Sequence, residues 1–564
     1  MAFPQRKQSA RTMTQSIAAF FGGTDVQRSL NHSDSRCVNL YPSVNDKGDI
    51  AAFYTTPGLL LYKKLPGGIA SGIYTASNGR CFAVGGVTLY EITAGAVFIN
   101  RGTVTSATIT RFSDNGIDLI FVNGVDGWLF NFATNTLTKI SVHQATFTVN
   151  LTSPAVLHSI NHGLIAGTVL RLSTTGALPT GLPTITDCYV LAAGLTADDF
   201  ELSLTSGGAA INTSGGQSGV HTFTTIGWGF PNGCRTISYI NGRFVACEPN
   251  TQNFYVSEVL NAPRWLALNV QTADSNPDRV IGEIVSHNEL IIFCEQSGEV
   301  FYDSGTIPTP FVRNQSGVFE VGCVAPHSIC KIDNSVMWLG KSSTGQGVIY
   351  RLNGYTPTRI STYSIEVAIQ SMADISDAVS FTYQQDGHHF YVITFPNGGR
   401  TFVFDANTNL WHERAGFVDG NFVRWEAQEY AFFDNRHLVC DYSEGNIYSL
   451  DLSVYTDGAT VHKWMRSWRA PSSNLKRVVH HKLSLAAEMG TGLIDGTDQQ
   501  VMMRYSDDGG HTWSSERWMS MGEIGEYAKR VFWHRLGMTS GQPRIYELSG
   551  STQTKTVLLE CILE

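Results

Sequence analysis

At 564 residues, of which 42% are hydrophobic and only 15% charged, the chain is too long for one ordinary core and predicts roughly two to four domains. Charge is scarce against about 25% in an average soluble protein, while 55 glycines and 11% aromatics suit many short strands joined by tight turns. The formal net charge of −9, with 48 acidic and 39 basic residues and no Lys/Arg-rich run, excludes sequence-independent DNA binding through phosphate neutralisation. A mildly acidic wall would instead let a duplex slide past, and a weakly charged surface suits a subunit buried in an oligomer.

The first 30 residues read as an N-terminal arm. Arg6, Lys7 and Arg11 precede Ile17-Ala-Ala-Phe-Phe21, an apolar stretch too short for a signal peptide, and no apolar run approaches the length of a membrane span. The chain is therefore expected to be made and assembled in a cytosol without secretion. The ten cysteines (Cys37, Cys81, Cys188, Cys234, Cys247, Cys294, Cys323, Cys330, Cys440 and Cys561) form no C-x-x-C pair. They predict neither a zinc site nor a redox motif, and most read as small core residues.

A recurring unit then dominates the chain: a polar turn, an apolar strand, and a second strand rich in aromatics. It starts at Asn78, Asn115, Asn241, His287, Asp333, Asp386 and Asp434, and the last five starts are spaced about 46 to 53 residues apart. That period matches one four-stranded propeller blade. Residues 31–142 and 226–458 are thus expected to form a β-propeller of roughly six to eight blades; an irregular set of β-sandwiches is the bland alternative. The step from 115 to 241 is too long for one blade. Residues 143–225, rich in Thr, Ser, Gly and Leu and nearly without Lys, Arg and Trp, read as a small β-barrel-like domain inserted in a propeller loop, where insertions cost little. Ser364-Ile-Glu-Val-Ala-Ile-Gln370 is the best helix signal, a short connector. From 459 to 564 the period changes, and strand-like runs at 465–469, 482–486, 501–505, 530–533, 544–548 and 556–560 predict a C-terminal β-sandwich. Within it, Ser506, Asp508, Gly510, Thr512 and Trp513 fit the Asp-box pattern. In that hairpin Asp508 binds the turn, Gly510 takes positive φ and Trp513 folds back as a lid.

Several segments in this order resemble one family. Arg36-Cys-Val-Asn-Leu-Tyr-Pro42 leads to Thr55-Thr-Pro-Gly-Leu59, and Ala273-Asp-Ser-Asn-Pro-Asp-Arg-Val-Ile-Gly282 precedes a long apolar strand. His388-His-Phe-Tyr-Val-Ile-Thr-Phe-Pro396 and Thr401-Phe-Val-Phe-Asp405 follow, and Lys529-Arg-Val-Phe-Trp-His-Arg-Leu-Gly537 closes the series. Together they resemble the tail-hub or "packaged DNA stabilisation" proteins of short-tailed phages (podoviruses). His162-Gly-Leu-Ile-Ala-Gly-Thr-Val169 and Leu172-Ser-Thr-Thr-Gly-Ala-Leu-Pro-Thr-Gly-Leu182 resemble a β-barrel module that recurs in phage structural proteins. The resemblance implies a structural virion protein, a homohexameric tail nozzle that extends the portal–adaptor channel, retains packaged DNA and conducts it during genome ejection. The partners it implies are further copies of the chain, an adaptor or head-completion protein, and tail fibre, spike or needle proteins. Double-stranded DNA would pass without sequence-specific contact.

No residue type in a chemical pattern argues for catalysis. His388 and His389 alternate along a strand and cannot share one metal as i, i+4 helical histidines can, and His480-His481 fails likewise. Trp411-His-Glu-Arg414 reads as an ordinary turn at a blade end. A sialidase-like glycosidase would need an arginine cluster, a tyrosine nucleophile and an acid; nothing in the sequence orders Arg36, Arg243, Arg351 and Tyr355 into one. Gly207-Gly208 and Gly215-Gly216 lack the strand–helix context of a nucleotide site. No catalytic, metal or cofactor site is expected, and a host-surface glycan-binding or sialidase-like tail protein is the alternative reading.

Overall fold

In the computed structural model the described residues are 15–564 apart from 27–33, 46, 141–143, 161, 163, 227–228, 307–308, 472–475 and 494–495; Arg6, Lys7 and Arg11 lie outside them. The seven polar turns of the sequence become seven equivalent hairpins. Asn241, His287, Asp333, Asp386 and Asp434 take left-handed φ between 48° and 52°, a conformation that short polar side chains tolerate and β-branched ones do not. At Asn78 and Asn115 the following glycine takes it instead. Each turn joins the first strand of a four-stranded antiparallel sheet to its second.

These sheets are the blades of a seven-bladed propeller among the described residues. Blade 1 starts at Ala70–Thr75, blade 2 at Arg111–Asp114, blade 3 at Ser238–Ile240 and blade 4 at Val280–Ser286. Blade 5 starts with the split strand Gly322–Cys323 and Cys330–Ile332, blade 6 at Val379–Gln385 and blade 7 at Ala427–Phe433. A lone blade cannot bury both its faces, so each neighbouring pair shares an apolar cluster. Phe254 meets Phe301 at 5.2 Å between blades 3 and 4, and Phe293 meets Trp338 at 4.9 Å between blades 4 and 5. The ring closes where Ala431, Leu438 and Ile447 of blade 7 pack on Ala70, Ile73 and Ala83 of blade 1.

Blade 7 is completed from the other end of the chain. Its outer strand is Gly58–Lys64, antiparallel to Asn446–Asp451. Gly58 sits where the chain enters the propeller: a Cβ there would lie 2.4 Å from the Val454 carbonyl oxygen, so no larger residue fits that crossing.

The propeller was expected to begin at residue 31, and here the structure differs. Cys37–Val38, Leu40–Val44 and Ile50–Thr55 belong to the C-terminal sandwich, because Cys37, Leu40 and Phe53 present an apolar face to Trp468, Leu483 and Leu558. Gln15–Ser16 pairs with the last strand, and Ile17 and Phe20 are buried in the same core. One sandwich sheet runs Leu40–Val44, Ile50–Thr55, Val557–Leu563, Val479–Ala487, Val531–Met538. The other runs Cys37–Val38, Trp464–Arg469, Ile545–Gly550, Gln499–Ser506, Arg517–Gly522, and through Cys37–Val38 it continues into the outer strand of blade 6, Leu410–Val418. The segment 411–414, expected as a turn, is therefore buried strand: an added strand covers the edge that a free blade would leave open.

The inserted domain leaves the propeller between blades 2 and 3. Its seven strands run from Gln144–Asn150 to His221–Ile226 in one nearly closed sheet with its own core. Strand direction alternates within each blade, so the seven first turns share one rim and the inter-blade connections, including this one, share the other. The α-helix Tyr363–Gln370 links blades 5 and 6.

Candidate functional site

The propeller axis holds the most concentrated polar chemistry. First strands line it, and small or hydroxyl side chains fill much of it: Ser71 and Thr110 share a hydrogen bond of 2.8 Å, and Ser380 donates to the His327 carbonyl at 3.3 Å. Arg111, at the start of blade 2, pairs with Glu429 of blade 7 at 2.5 Å and donates to the His327 carbonyl of blade 5 at 3.2 Å. Blades 2 and 5 stand as far apart as two blades of a seven-membered ring can, so this guanidinium crosses the axis. Burial pushes the Glu429 carboxyl up to about 7, with Arg111 pulling against it. Burial, then Arg111 and Arg235, holds the His327 imidazole well below its usual range. On the far side Thr236 donates to buried Glu283 at 2.5 Å, whose carboxyl burial also raises to about 7. Side chains from blades 2 and 7 and the His327 carbonyl of blade 5 thus meet across the axis and block it at that level.

A second cluster welds blade 6 to the sandwich. Buried Glu413 accepts from Arg36 at 3.0 and 3.1 Å and from Arg400 at 2.8 Å. Burial alone would raise its carboxyl, but the two guanidinium groups outweigh that and hold it at about 2. Next to it His412 is fully buried with no hydrogen-bond partner, and burial lowers it to about 3. Arg414 lies 3.8 Å over the Trp425 ring and donates to the Pro57 carbonyl at 2.6 Å. Arg466, also buried, donates to the carbonyls of Phe20 (2.8 Å) and Arg36 (3.1 Å), fastening the N-terminal segment. Beside this seam opens a cleft of about 680 Å³ in which Arg36, Arg400 and Arg504 serve Glu413 and Glu547, while Lys463 lies over the Phe417 ring at 4.6 Å.

Where the chain crosses between the two domains, Asp457 Oδ1 lies 3.0 Å from His462 Nδ1, and His462 Nε2 lies 3.3 Å from Thr56 Oγ1. The order of groups is that of a hydrolase relay. Thr56, Asp457 and His462 are each at most 2% exposed, so no substrate reaches the hydroxyl; the three staple the entering strand to the leaving one.

The residues singled out by sequence fall apart chemically. His388 is buried 2.8 Å from Asp405, while His389 faces outward and pairs with Asp333. His480 bonds the Tyr546 hydroxyl at 2.7 Å and His481 is exposed. Arg36 serves Glu413, Arg243 donates to the Ser257 carbonyl, Arg351 pairs with Asp333, and Tyr355 donates to Glu289; they do not converge. The Asp-box forms as a scaffold: Asp508 accepts from the Thr512 amide at 2.8 Å and its hydroxyl at 2.6 Å, and Ser506 accepts from the Gly510 amide at 2.8 Å. Arg504 lies 4.6 Å over Trp513, which stays half-exposed. Among the described residues no group of three His, Cys, Asp or Glu side chains could hold a metal, and no helix is long and apolar enough to cross a membrane.

Sequence reasoning missed Arg111, Glu429 and Arg466. One signal for Glu429 was present: in Ala427–Phe433 it alternates with Ala431 and Phe433 on one face, and a charge on an apolar strand face asks for a buried partner.

Residues 195–455 match the family model described as bacteriophage P22 Gp10, beta-propeller, and residues 463–564 match the one described as bacteriophage P22 Gp10, beta-sandwich. No curated protein matches the chain. Among solved structures, the N-terminal domain of Nup159 is similar over 74% of this chain and 99% of its own, at 6% identity and TM-score 0.35. KlHsv2 with loop 6CD replaced by a Gly-Ser linker is similar over 61% and 97%, at 10% identity and TM-score 0.27. An exo-beta-1,3-galactanase from Phanerochaete chrysosporium with beta-1,3-galactotriose is similar over 91% and 100%, at 12% identity and TM-score 0.21. At those scores none of the three carries an argument about this chain.

Proposed function

The chain belongs to the family of bacteriophage P22 Gp10, the packaged-DNA stabilisation proteins of podovirus tails, and from that premise we propose that it is one subunit of a ring-shaped tail nozzle. Such a ring extends the portal–adaptor channel, retains the packaged genome and conducts it during ejection. Its place is the virion tail, after assembly in the host cytoplasm. Its partners are further copies of itself, the adaptor or head-completion protein on one side, and fibre, spike or needle proteins on the other.

One observation carries the step from a phage structural protein to a ring. A duplex whose major groove alone is about 12 Å wide cannot thread an axis that the single side chain of Arg111 bridges. A conduit therefore has to form between copies, through heterologous contacts that close. The low charge of the chain fits subunits that bury much of their surface, and the absence of a basic run in its sequence fits a wall past which DNA slides.

Electron microscopy of intact particles, with the chain tagged at its C-terminus, tests the reading. A closed ring of tagged subunits, six by the family resemblance, coaxial with the portal is expected. A chain that stays monomeric in light scattering with its adaptor, in particles that hold and eject DNA without it, would sink the proposal. Release of sugars from host cells by the purified protein would favour the glycan-directed alternative.

A further inference from the structure

The cleft at the seam of blade 6 and the sandwich is positive, in a chain with 48 acidic against 39 basic residues. Five cationic side chains line it (Arg36, Arg400, Arg414, Lys463 and Arg504) against three carboxylates (Glu413, Glu516 and Glu547). Burial sorts the two signs. The Glu413 and Glu547 side chains are 4% and 9% exposed, whereas those of Arg36, Arg400 and Arg504 are between 29% and 36% exposed. Two carboxylates therefore form the floor and the guanidinium groups the lip, with Glu516 the one exposed acid of the three. Lys463 adds a charge that pairs with no carboxylate among the described residues.

The lip is also held in place. Arg400 lies 4.7 Å from the Phe402 ring, Lys463 4.6 Å from Phe417 and Arg504 4.6 Å from Trp513. A long cation already resting on a ring loses less freedom when an anion binds it. Such a lip suits a carboxylate or phosphate group. A duplex carries a charge about every 1.7 Å and needs a stripe of cations. One cleft of about 680 Å³ is no stripe and suits a short acidic protein segment instead.

This chain carries such a segment in the inserted barrel. Residues 143–225 hold four carboxylates (Asp187, Asp198, Asp199 and Glu201) and one cation, Arg171, which Asp187 engages at 2.6 Å. Asp198, Asp199 and Glu201 stand together at the strand Asp199–Phe200, all half-buried, with His158 2.8 Å from Asp199. Placement agrees with charge. The barrel leaves the propeller midway between blades 2 and 3, and the point directly across a ring of seven is blade 6, whose strand Leu410–Val418 lines the cleft. Barrel and cleft thus belong to opposite flanks of one subunit, as the two halves of a head-to-tail contact must if copies are to follow one another around a ring. We propose that the acidic flank of one copy's barrel, at Asp198, Asp199 and Glu201, docks in the cationic cleft of the next copy. This rests on the tail-nozzle reading and supplies a contact that closes its ring.

A photo-crosslinking residue at Asn421, an exposed position lining the cleft, tests it in particles assembled with the full chain. The expected product has twice the mass of the chain, and its crosslinked peptide comes from the barrel. Lys463→Glu should lower incorporation of the chain into particles about tenfold, the order expected when a close charge pair is reversed. Adding Asp198→Lys and Glu201→Lys to the same chain should restore it. Lys47→Glu, an exposed lysine outside the cleft, should change nothing. The crosslink is made on the native charges, so it decides the question whether or not K463E folds. No adduct, or an adduct to DNA, to another protein or to the propeller or sandwich of a second copy, overturns the inference and leaves the nozzle standing. So does a loss in K463E that the barrel reversals do not restore. Particles that lack the chain altogether overturn the nozzle reading, and this inference with it.

Discussion

The sandwich and the inserted barrel are both β annexes of one propeller, joined to it in opposite ways. The sandwich is welded: its sheet continues into blade 6 at Val38 and Glu413, two arginine contacts tie the parts together, Arg36 to Glu413 and buried Arg414 to the Pro57 carbonyl, and the N-terminal segment lies in its core, held there by Arg466. The barrel is tethered by two paired strands, and its apolar cluster among the described residues is drawn from its own sequence. A welded annex has to fold and melt with the propeller, whereas a tethered one can unfold without disturbing it. The same chain thus joins one annex rigidly to the propeller and hangs the other on a paired stalk.

Truncating a side chain in the weld should have the largest effect. Trp468→Ala empties a fully buried site against Phe20 and Tyr546 and should cost about 3–5 kcal/mol. Denaturant unfolding with hydrogen exchange should show lowered protection in blade 6 as well as the sandwich; loss confined to the sandwich would break the comparison. Glu413→Ala comes next. It leaves Arg36 and Arg400 facing a buried gap, at about 3 kcal/mol given that both arginines are partly exposed, again with both domains affected. Phe200→Ala, in the barrel core, should melt the barrel early in calorimetry and leave the main transition where it was.

Acid and base should then separate the sandwich and its seam from the axis. Burial holds His480 down at about 4 and His412 at about 3, below the 6.5 of an unfolded histidine. Stability from these neutral rings is present above pH 6.5 and lost as pH falls through 4 and 3, so His480→Phe should flatten acid unfolding. Glu429 and Glu283 run the other way: raised by burial to about 7, they favour the folded state below pH 4.5 and lose that contribution as pH rises through 7. Glu429→Gln should flatten that limb in a stability profile recorded from pH 4 to 8. The smallest effect belongs to Asp508→Ala, which should speed amide exchange across 506–513 and leave the melting temperature unchanged.

How far the sequence could be read follows from the range of the forces involved. The seven hairpin turns were legible because Asn241, Asp333, Asp386 and their equivalents are local solutions to a left-handed backbone, and a blade is a local unit. The insert was legible as a break in that rhythm. The strand Gly58–Lys64, which finishes blade 7, was not, because its partner lies nearly four hundred residues away and nothing in Gly-Leu-Leu-Leu-Tyr-Lys-Lys names it. The placing of 37–55 in the sandwich was missed for the same reason: Leu40 and Phe53 look alike whether they face a blade or Trp468. The axis was hidden because Arg111 and Glu429 mean something only once the ring brings blades 2, 5 and 7 to one point.

The closing strand sets a clock on synthesis. Gly58 leaves the ribosome early, but the edge it must join, Asn446–Asp451, follows only after about 20 to 80 s at roughly 5–20 residues per second. Until then a nascent subunit is an open arc of blades with an unpaired first strand, able neither to close nor to present a finished outline to a neighbour. Translation itself thereby delays completion of the propeller until the chain is nearly finished.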